Sequence, residues 1–162
     1  MQQRCKTRVK IYTFATVMQK SRKEFLGAML QAKGIRPTPF RLQVLDIIER
    51  KGAAINAGEI ETDLGPHDRI TLYRTLKTFT DEGVIHEIAL SGNERMMALC
   101  ASDCQSDHGP HAHQHAHFKC KVCGEVVCLA LNHFPEITRA GYAIEEVEIN
   151  LQGTCPNCLG AA

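Results

Sequence analysis

The chain has 162 residues, enough for one ordinary hydrophobic core or two small ones, and its 44% hydrophobic and 23% charged residues exclude wholesale disorder. No apolar run approaches the 18 or more residues of a membrane span. The net charge of +1 hides an asymmetry: residues 1–90 carry 15 Lys/Arg against 10 Asp/Glu, a balance of +5, and residues 91–162 carry 4 against 8, a balance of −4. The basic first half suits a polyanion partner; the acidic second half would repel one.

In chain order, Arg4, Lys6, Arg8 and Lys10 precede the short apolar stretch Ile11–Met18. That stretch loosely resembles a signal peptide, but it is short and no small-residue cleavage site follows. Residues 1–20 are therefore expected to be a disordered tail, or the product of an upstream start with Met18 the natural one, and the protein reads as cytoplasmic. Ser21-Arg22-Lys23-Glu24 forms a capping box, followed by Phe25, Leu26, Met29 and Leu30 at helical spacing up to Gly34. Thr38-Pro39 opens a second helix with Leu42, Leu45 and Ile48 on its apolar face and Gly52 beyond its end. Asn56 and Glu59 cap a third through Leu64; after Gly65-Pro66, Asp68 starts a fourth that runs to Gly83. Val84–Leu90 and Arg95–Cys100 flank Ser91-Gly92-Asn93 as a β-hairpin.

Helices two to four followed by a hairpin make a winged helix-turn-helix over residues 21–100. In the fourth helix Leu72, Leu76 and Phe79 fall on a core face. Arg69, Tyr73 and Lys77 share another face with Arg74 beside it, a set with the donors and the aromatic ring to enter a major groove. The same spacing also suits a solvated face of an ordinary amphipathic helix.

Beyond Cys100 the texture changes. Residues 101–114 are polar and read as a hinge or loop; residues 115–162 form a second domain too small to fold without a staple. His117–Leu131 and Tyr142–Leu151 read as strands, with any intervening helix confined by Pro135 and Gly141 to Asn132–Arg139. The fold class is α+β.

Seven of eight cysteines lie from Cys100 onward and seven of eight histidines from His86 onward, which points to metal ligation rather than a disulfide framework. Cys120-Lys121-Val122-Cys123-Gly124 and Cys155-Pro156-Asn157-Cys158 are two C-x-x-C knuckles whose four thiolates suit one structural tetrahedral zinc. His111, His113, His115 and His117 alternate, and alternate residues of a strand share a face. His86, Cys100 and Cys128, with Cys104 and His108 in the linker, supply more candidates than one four-ligand site needs. Thiolates with imidazoles suit zinc; Fe(II) and Mn(II) sites favour imidazole, carboxylate and water. A solvent-exposed His-rich loop is the plain alternative, and a thiol switch at Cys100, Cys104 or Cys128 is another. No H-E-x-x-H or H-x-E…P-C-x-x-C pattern supports a zinc hydrolase, the distant alternative function.

With these residues placed, the sequence resembles the ferric uptake regulator family over about Glu24–Cys158. Gly34-Ile35-Arg36-Pro37-Thr38-Pro39-Phe40-Arg41 resembles the family's G-[LI]-[KR]-x-T-x-x-R opening of the second helix. Thr71-Leu72-Tyr73-Arg74 resembles its T-V-Y-R recognition signature, and His115 to Gly124 its H-x-H-x-x-C-x-x-C-G block. The resemblance implies a homodimeric, metal-activated repressor on an A/T-rich inverted-repeat operator of double-stranded DNA. It adds Arg36, Arg41 and Thr71 to the expected DNA contacts. Cys100 falls where the zinc uptake regulators of the family place a sensing cysteine, and Cys128 stands where most members have a carboxylate. The expected regulatory centre is a tetrahedral zinc drawn from His86, Cys100, His115, His117 and Cys128, with His113 as substitute and Cys100 the leading choice. Zinc-responsive control of zinc-uptake genes follows, with an iron-responsive (Fe2+) repressor as the alternative.

Overall fold

The computed structural model describes residues 14–90, 94–100, 115–131, 133, 135–144 and 147–160. Its first helix, α1 (Phe14–Ala32), begins seven residues ahead of Ser21, so the capping box lies inside the helix and residues 14–20 are helical rather than a tail; residues 1–13 lie outside the described residues. The reason is propagation. Phe14 to Lys20 contains neither Gly nor Pro, and extending a formed helix costs far less than starting one. The other end follows the sequence. Gly34 adopts φ +70°, its N–H donates to the Gln31 carbonyl at 3.0 Å, and the Ile35 N–H reaches back to the Leu30 carbonyl at 2.9 Å. This left-handed cap buries Ile35 beside Leu30.

Helix α2 (Pro39–Lys51) starts at Thr38, whose Oγ1 accepts from the Arg41 N–H, and ends at Gly52. It buries Val44, Leu45, Ile47 and Ile48, while Leu42 is only partly covered. Arg22 of α1 pairs with Asp46 and Glu49, clasping the two helices. In α3 (Ala57–Leu64) both halves of the capping box form: Asn56 Oδ1 accepts from the Glu59 N–H at 2.9 Å, and Glu59 Oε2 accepts from the Asn56 N–H at 3.0 Å. Helix α4 (Arg69–Asp81) is capped by Asp68 and turns Leu72, Thr75, Leu76 and Phe79 into the core. Strands β1 (Ile85–Ala89) and β2 (Arg95–Leu99) form the antiparallel wing, and Ile55 adds a bridge to Met97.

The second unit is a three-stranded sheet in the order β4-β3-β5, from β3 (His115–Cys120), β4 (Val126–Ala130) and β5 (Ile149–Gly153), closed by the short helix α5 (Pro156–Leu159). β3 runs antiparallel to β4 and parallel to β5. Two expectations need correction. Among the described residues between β4 and β5 there is no helix, because Pro135 sits in the middle of the only stretch that had room for one. The last strand is later and shorter than Tyr142–Leu151: Tyr142–Ile144 and residues 147–148 are irregular, and pairing starts at Ile149.

The main core is built from α1 to α4 and the wing. A smaller cluster joins the two units: Val126 of β4 is buried among Ala54, Ile88, Met96 and Ala98. The Ala54 N–H donates to the Val126 carbonyl at 2.8 Å, and Lys119 Nζ meets Glu94 Oε2 at 2.6 Å. The wing is thereby docked on the sheet that carries the histidines. No helix of the described residues is long and apolar enough to cross a membrane.

Candidate metal centres and the exposed helix

The first centre gathers Cys120, Cys123, Cys155 and Cys158, all with Sγ atoms within 4.8 Å of one another. Local turns bring them there. Cys120 ends β3; Gly124, at φ +77°, donates its N–H back to the Cys120 carbonyl, so the chain folds tightly round Cys123. Cys155 precedes α5, whose single turn carries Cys158 to the same point. The Cys123 and Cys155 sulfurs lie 3.8 Å apart. A tetrahedron of zinc–sulfur bonds of about 2.3 Å has edges of about 3.8 Å, the length of this Cys123–Cys155 edge. Backbone N–H groups of Cys123 and Cys155 hold Cys120 down at about 6, while the neighbouring thiols, Cys155 first, push Cys158 up to about 12. Four thiols crowded without a cation cannot all ionise, which is the electrostatic demand that a bound dication removes.

The second centre joins the wing to the sheet. His86 comes from β1, His115 and His117 from one face of β3, and Cys128 from β4, where it is the direct cross-strand partner of His117. The three Nε2 atoms converge: His86–His115 3.2 Å, His115–His117 3.1 Å and His86–His117 3.3 Å, with Cys128 Sγ 3.5 Å from His86 Nε2. Tetrahedral bonds of about 2.0–2.1 Å to nitrogen and 2.3 Å to sulfur give edges of about 3.3 and 3.6 Å. Lone pairs of three imidazoles at this separation repel unless a proton or a cation lies between them. Burial lowers the pKa of both His115 and His117, which keeps them neutral and ready to ligate.

Cys100 stands elsewhere. Its Sγ lies 3.6 Å from Nδ1 of His86, on the far side of that ring from the converging Nε2 atoms. Asn150 on β5, opposite His117 in register, hydrogen-bonds the His117 ring. Sequence reasoning passed over Asn150, since only the parallel pairing of β5 with β3 brings it there. His113, Cys104, His108 and His111 lie outside the described residues.

The polar side of α4 is exposed. Tyr73, Arg74 and Lys77 point away from the core, Lys77 pairing with Asp81 at 3.0 Å. Arg69 Nη2 reaches Glu61 Oε2 of α3 at 3.0 Å, and Thr71 donates both its N–H and its hydroxyl to Asp68 Oδ2. Arg36 is exposed ahead of α2; Arg41 is half-buried and donates to the Arg36 carbonyl.

The model of the ferric uptake regulator family matches residues 32–152, about three quarters of the chain. The chain belongs to the ferric uptake regulator family. The ferric uptake regulation protein of Synechococcus elongatus is 25% identical over 144 residues, covering 82% of this chain and 92% of that protein. That of Staphylococcus aureus is 26% identical over 136 residues, covering 80% and 93%. Among solved structures, a zinc uptake regulator complexed with zinc and DNA aligns over 87% of this chain and 97% of its own, at 22% identity and a TM-score of 0.62. The Vibrio cholerae ferric uptake regulator aligns over 80% and 98%, at 22% identity and a TM-score of 0.51.

As a member of the ferric uptake regulator family the chain is a metal-responsive transcriptional regulator. The family consists of regulators and not enzymes, so the hydrolase alternative is set aside. The winged helix followed by a sheet unit that carries the four cysteines is the fold read from the order of elements and the knuckle spacing.

Proposed function

We propose that this regulator is a zinc-responsive repressor of zinc-acquisition genes. The carrying observation is the donor set of the second centre: three imidazole nitrogens and one thiol sulfur, within 4.8 Å of one another, with the three nitrogen–nitrogen edges and the Cys128–His86 edge of tetrahedral length. A closed site of three nitrogens and one sulfur suits zinc. Fe(II) and Mn(II) regulatory sites call for carboxylates and water, and among the described residues no carboxylate belongs to this group. The ligands are His86, His115, His117 and Cys128. Cys100 accepts from the Nδ1–H of His86, fixes the tautomer that turns Nε2 inward, and acts as an outer partner; Asn150 does the same for His117. The four cysteines of the first centre hold a structural zinc that makes the small sheet stable.

His86 belongs to the wing, and the other three ligands belong to the sheet. A bound ion supplies a cross-link between them. Without it, the described contacts that orient the wing and α4 on the sheet include the Val126 cluster, the Ala54–Val126 hydrogen bond and the Lys119–Glu94 pair. With it, the population shifts to the arrangement in which both α4 helices of the dimer reach an A/T-rich inverted repeat. Arg36, Arg41, Tyr73, Arg74 and Lys77 are the proposed DNA contacts; Arg69 and Thr71, expected there from the sequence, are engaged with Glu61 and Asp68 instead. The regulator works in the cytoplasm. Apolar side chains left open on the sheet unit, Leu129, Leu151 and Tyr142 among them, support pairing of two copies there.

An iron-responsive repressor is the second reading, favoured by the ferric names of the relatives in Synechococcus elongatus and Staphylococcus aureus. Titrating the full-length dimer with buffered Zn, Fe(II) and Mn(II) while following operator binding by fluorescence anisotropy separates the two. Activation by zinc at the lowest free concentration is expected; activation by Fe(II) with zinc inert would transfer the assignment to iron.

A further inference from the structure

The four buried side chains of α4 fix which way the helix faces. Opposite Leu72, Thr75, Leu76 and Phe79, at 100° per residue, the outward ridge runs through Ile70, Arg74 and Lys77. Two of these are cations and one is an isoleucine, 62% exposed. A single exposed apolar residue is ordinary on a protein surface. This one lies in the first turn of a recognition helix, where N-terminal residues meet base edges.

Its neighbours sharpen the point. Arg69 is turned aside to Glu61, which is itself partly buried, and the Thr71 hydroxyl is spent on Asp68. The first turn therefore offers the groove an apolar surface where its sequence, Asp68-Arg69-Ile70-Thr71, suggests polar contacts. Ile70 belongs to neither apolar core of the chain. On the major-groove edges of the four bases the one apolar group is the C5-methyl of thymine.

We infer that Ile70, standing between the diverted side chains of Arg69 and Thr71 on the outward ridge of α4, is a specificity-determining residue that packs on a thymine methyl in the major groove. The inference rests on α4 being the recognition helix. It selects T·A over C·G at one position in each half-site by desolvation of apolar surface, without a hydrogen bond. An apolar contact cannot be replaced by the long cations nearby, whose charged ends seek phosphates or purine acceptors.

The test uses the zinc-loaded dimer and a duplex that it selects from a random-sequence pool. Each thymine is replaced singly by deoxyuridine, which removes the methyl and keeps every hydrogen-bonding group. Wild-type protein should lose about three- to five-fold in affinity at one symmetry-related thymine per half-site, the effect of uncovering about one methyl group. Ile70→Ala should lose a similar factor on the thymine duplex and become insensitive to deoxyuridine there, with unchanged zinc content and dimerisation; Ile70→Val should recover part of the sensitivity. No deoxyuridine-sensitive position, or equal sensitivity in wild type and Ile70→Ala, overturns the inference. Arg74→Ala and Lys77→Ala serve as controls for α4 itself. If both bind the duplex as wild type does, the recognition-helix reading fails together with this one; if both weaken binding while Ile70→Ala keeps its deoxyuridine sensitivity, the Ile70 assignment alone fails.

Discussion

In the proposed centre, the nitrogen of His86 that each cysteine meets sets its role as ligand or as neighbour of a ligand. Cys128 lies on the Nε2 side with His115 and His117; Cys100 lies on the Nδ1 side. One thiolate in the second centre is therefore the expected count. Cobalt(II) loaded into that centre should give a single thiolate charge-transfer band, abolished in Cys128→Ser. Cys100→Ser should keep the band and lose about ten-fold in metal affinity, the usual cost of removing an outer partner. A band that vanishes in Cys100→Ser and persists in Cys128→Ser would exchange the two roles. The candidates His86, Cys100, His115, His117 and Cys128 were legible in the sequence as residue types at suitable spacing. Their sorting was not, because it depends on the pairing of His117 with Cys128 across β3 and β4 and on the docking of β1 against that sheet. Those are long-range facts that no local pattern carries.

Caps and breakers made the helices readable: Thr38-Pro39, the Asn56–Glu59 box, Asp68 and Gly52 all act where the sequence put them. The start of α1 was not readable, since the Ser21 box is a local signal overridden by helix propagation from Phe14. The crossover between β4 and β5 was overestimated for the opposite reason, a short helical stretch with a proline at its centre. The α3 box also sets a pH dependence. The Lys51 ammonium and the Asn56 N–H hold Glu59 below the ordinary carboxylate value. A carboxylate depressed in the folded state stabilises fully above its unfolded value of about 4.3 and loses that contribution as pH falls through its own lower one. Acid titration of the wild type, followed by circular dichroism, should thus show a loss below about pH 4 that is reduced in Glu59→Gln. Asn56→Ala should cost about 1 kcal/mol in thermal or denaturant unfolding. An unchanged stability would show that the cap contributes nothing.

At the scale of the molecule two staples act on one small sheet. The four-cysteine centre is the proposed structural staple, and the Val126 cluster seats the wing on the sheet. Cys155→Ser should lose one zinc equivalent, unfold the sheet unit and dissociate the dimer; a dimeric variant with full zinc content would contradict the structural role. Val126→Ala should cost about 2 kcal/mol, from lost methyl burial and the cavity left behind, and should weaken operator binding at subsaturating metal more than at saturation. The division into a basic winged helix and an acidic sheet unit was legible from charge and knuckle spacing. The contact between them, through Ala54 and Val126, was not. The most direct measurement is operator affinity against zinc stoichiometry in the full-length dimer, with His86→Ala beside the wild type. One zinc per chain should leave binding weak and the second should switch it on, while His86→Ala keeps the first zinc and the dimer but never switches. Tight binding with one zinc per chain, or a His86→Ala protein that switches as the wild type does, would contradict a metal cross-link between wing and sheet.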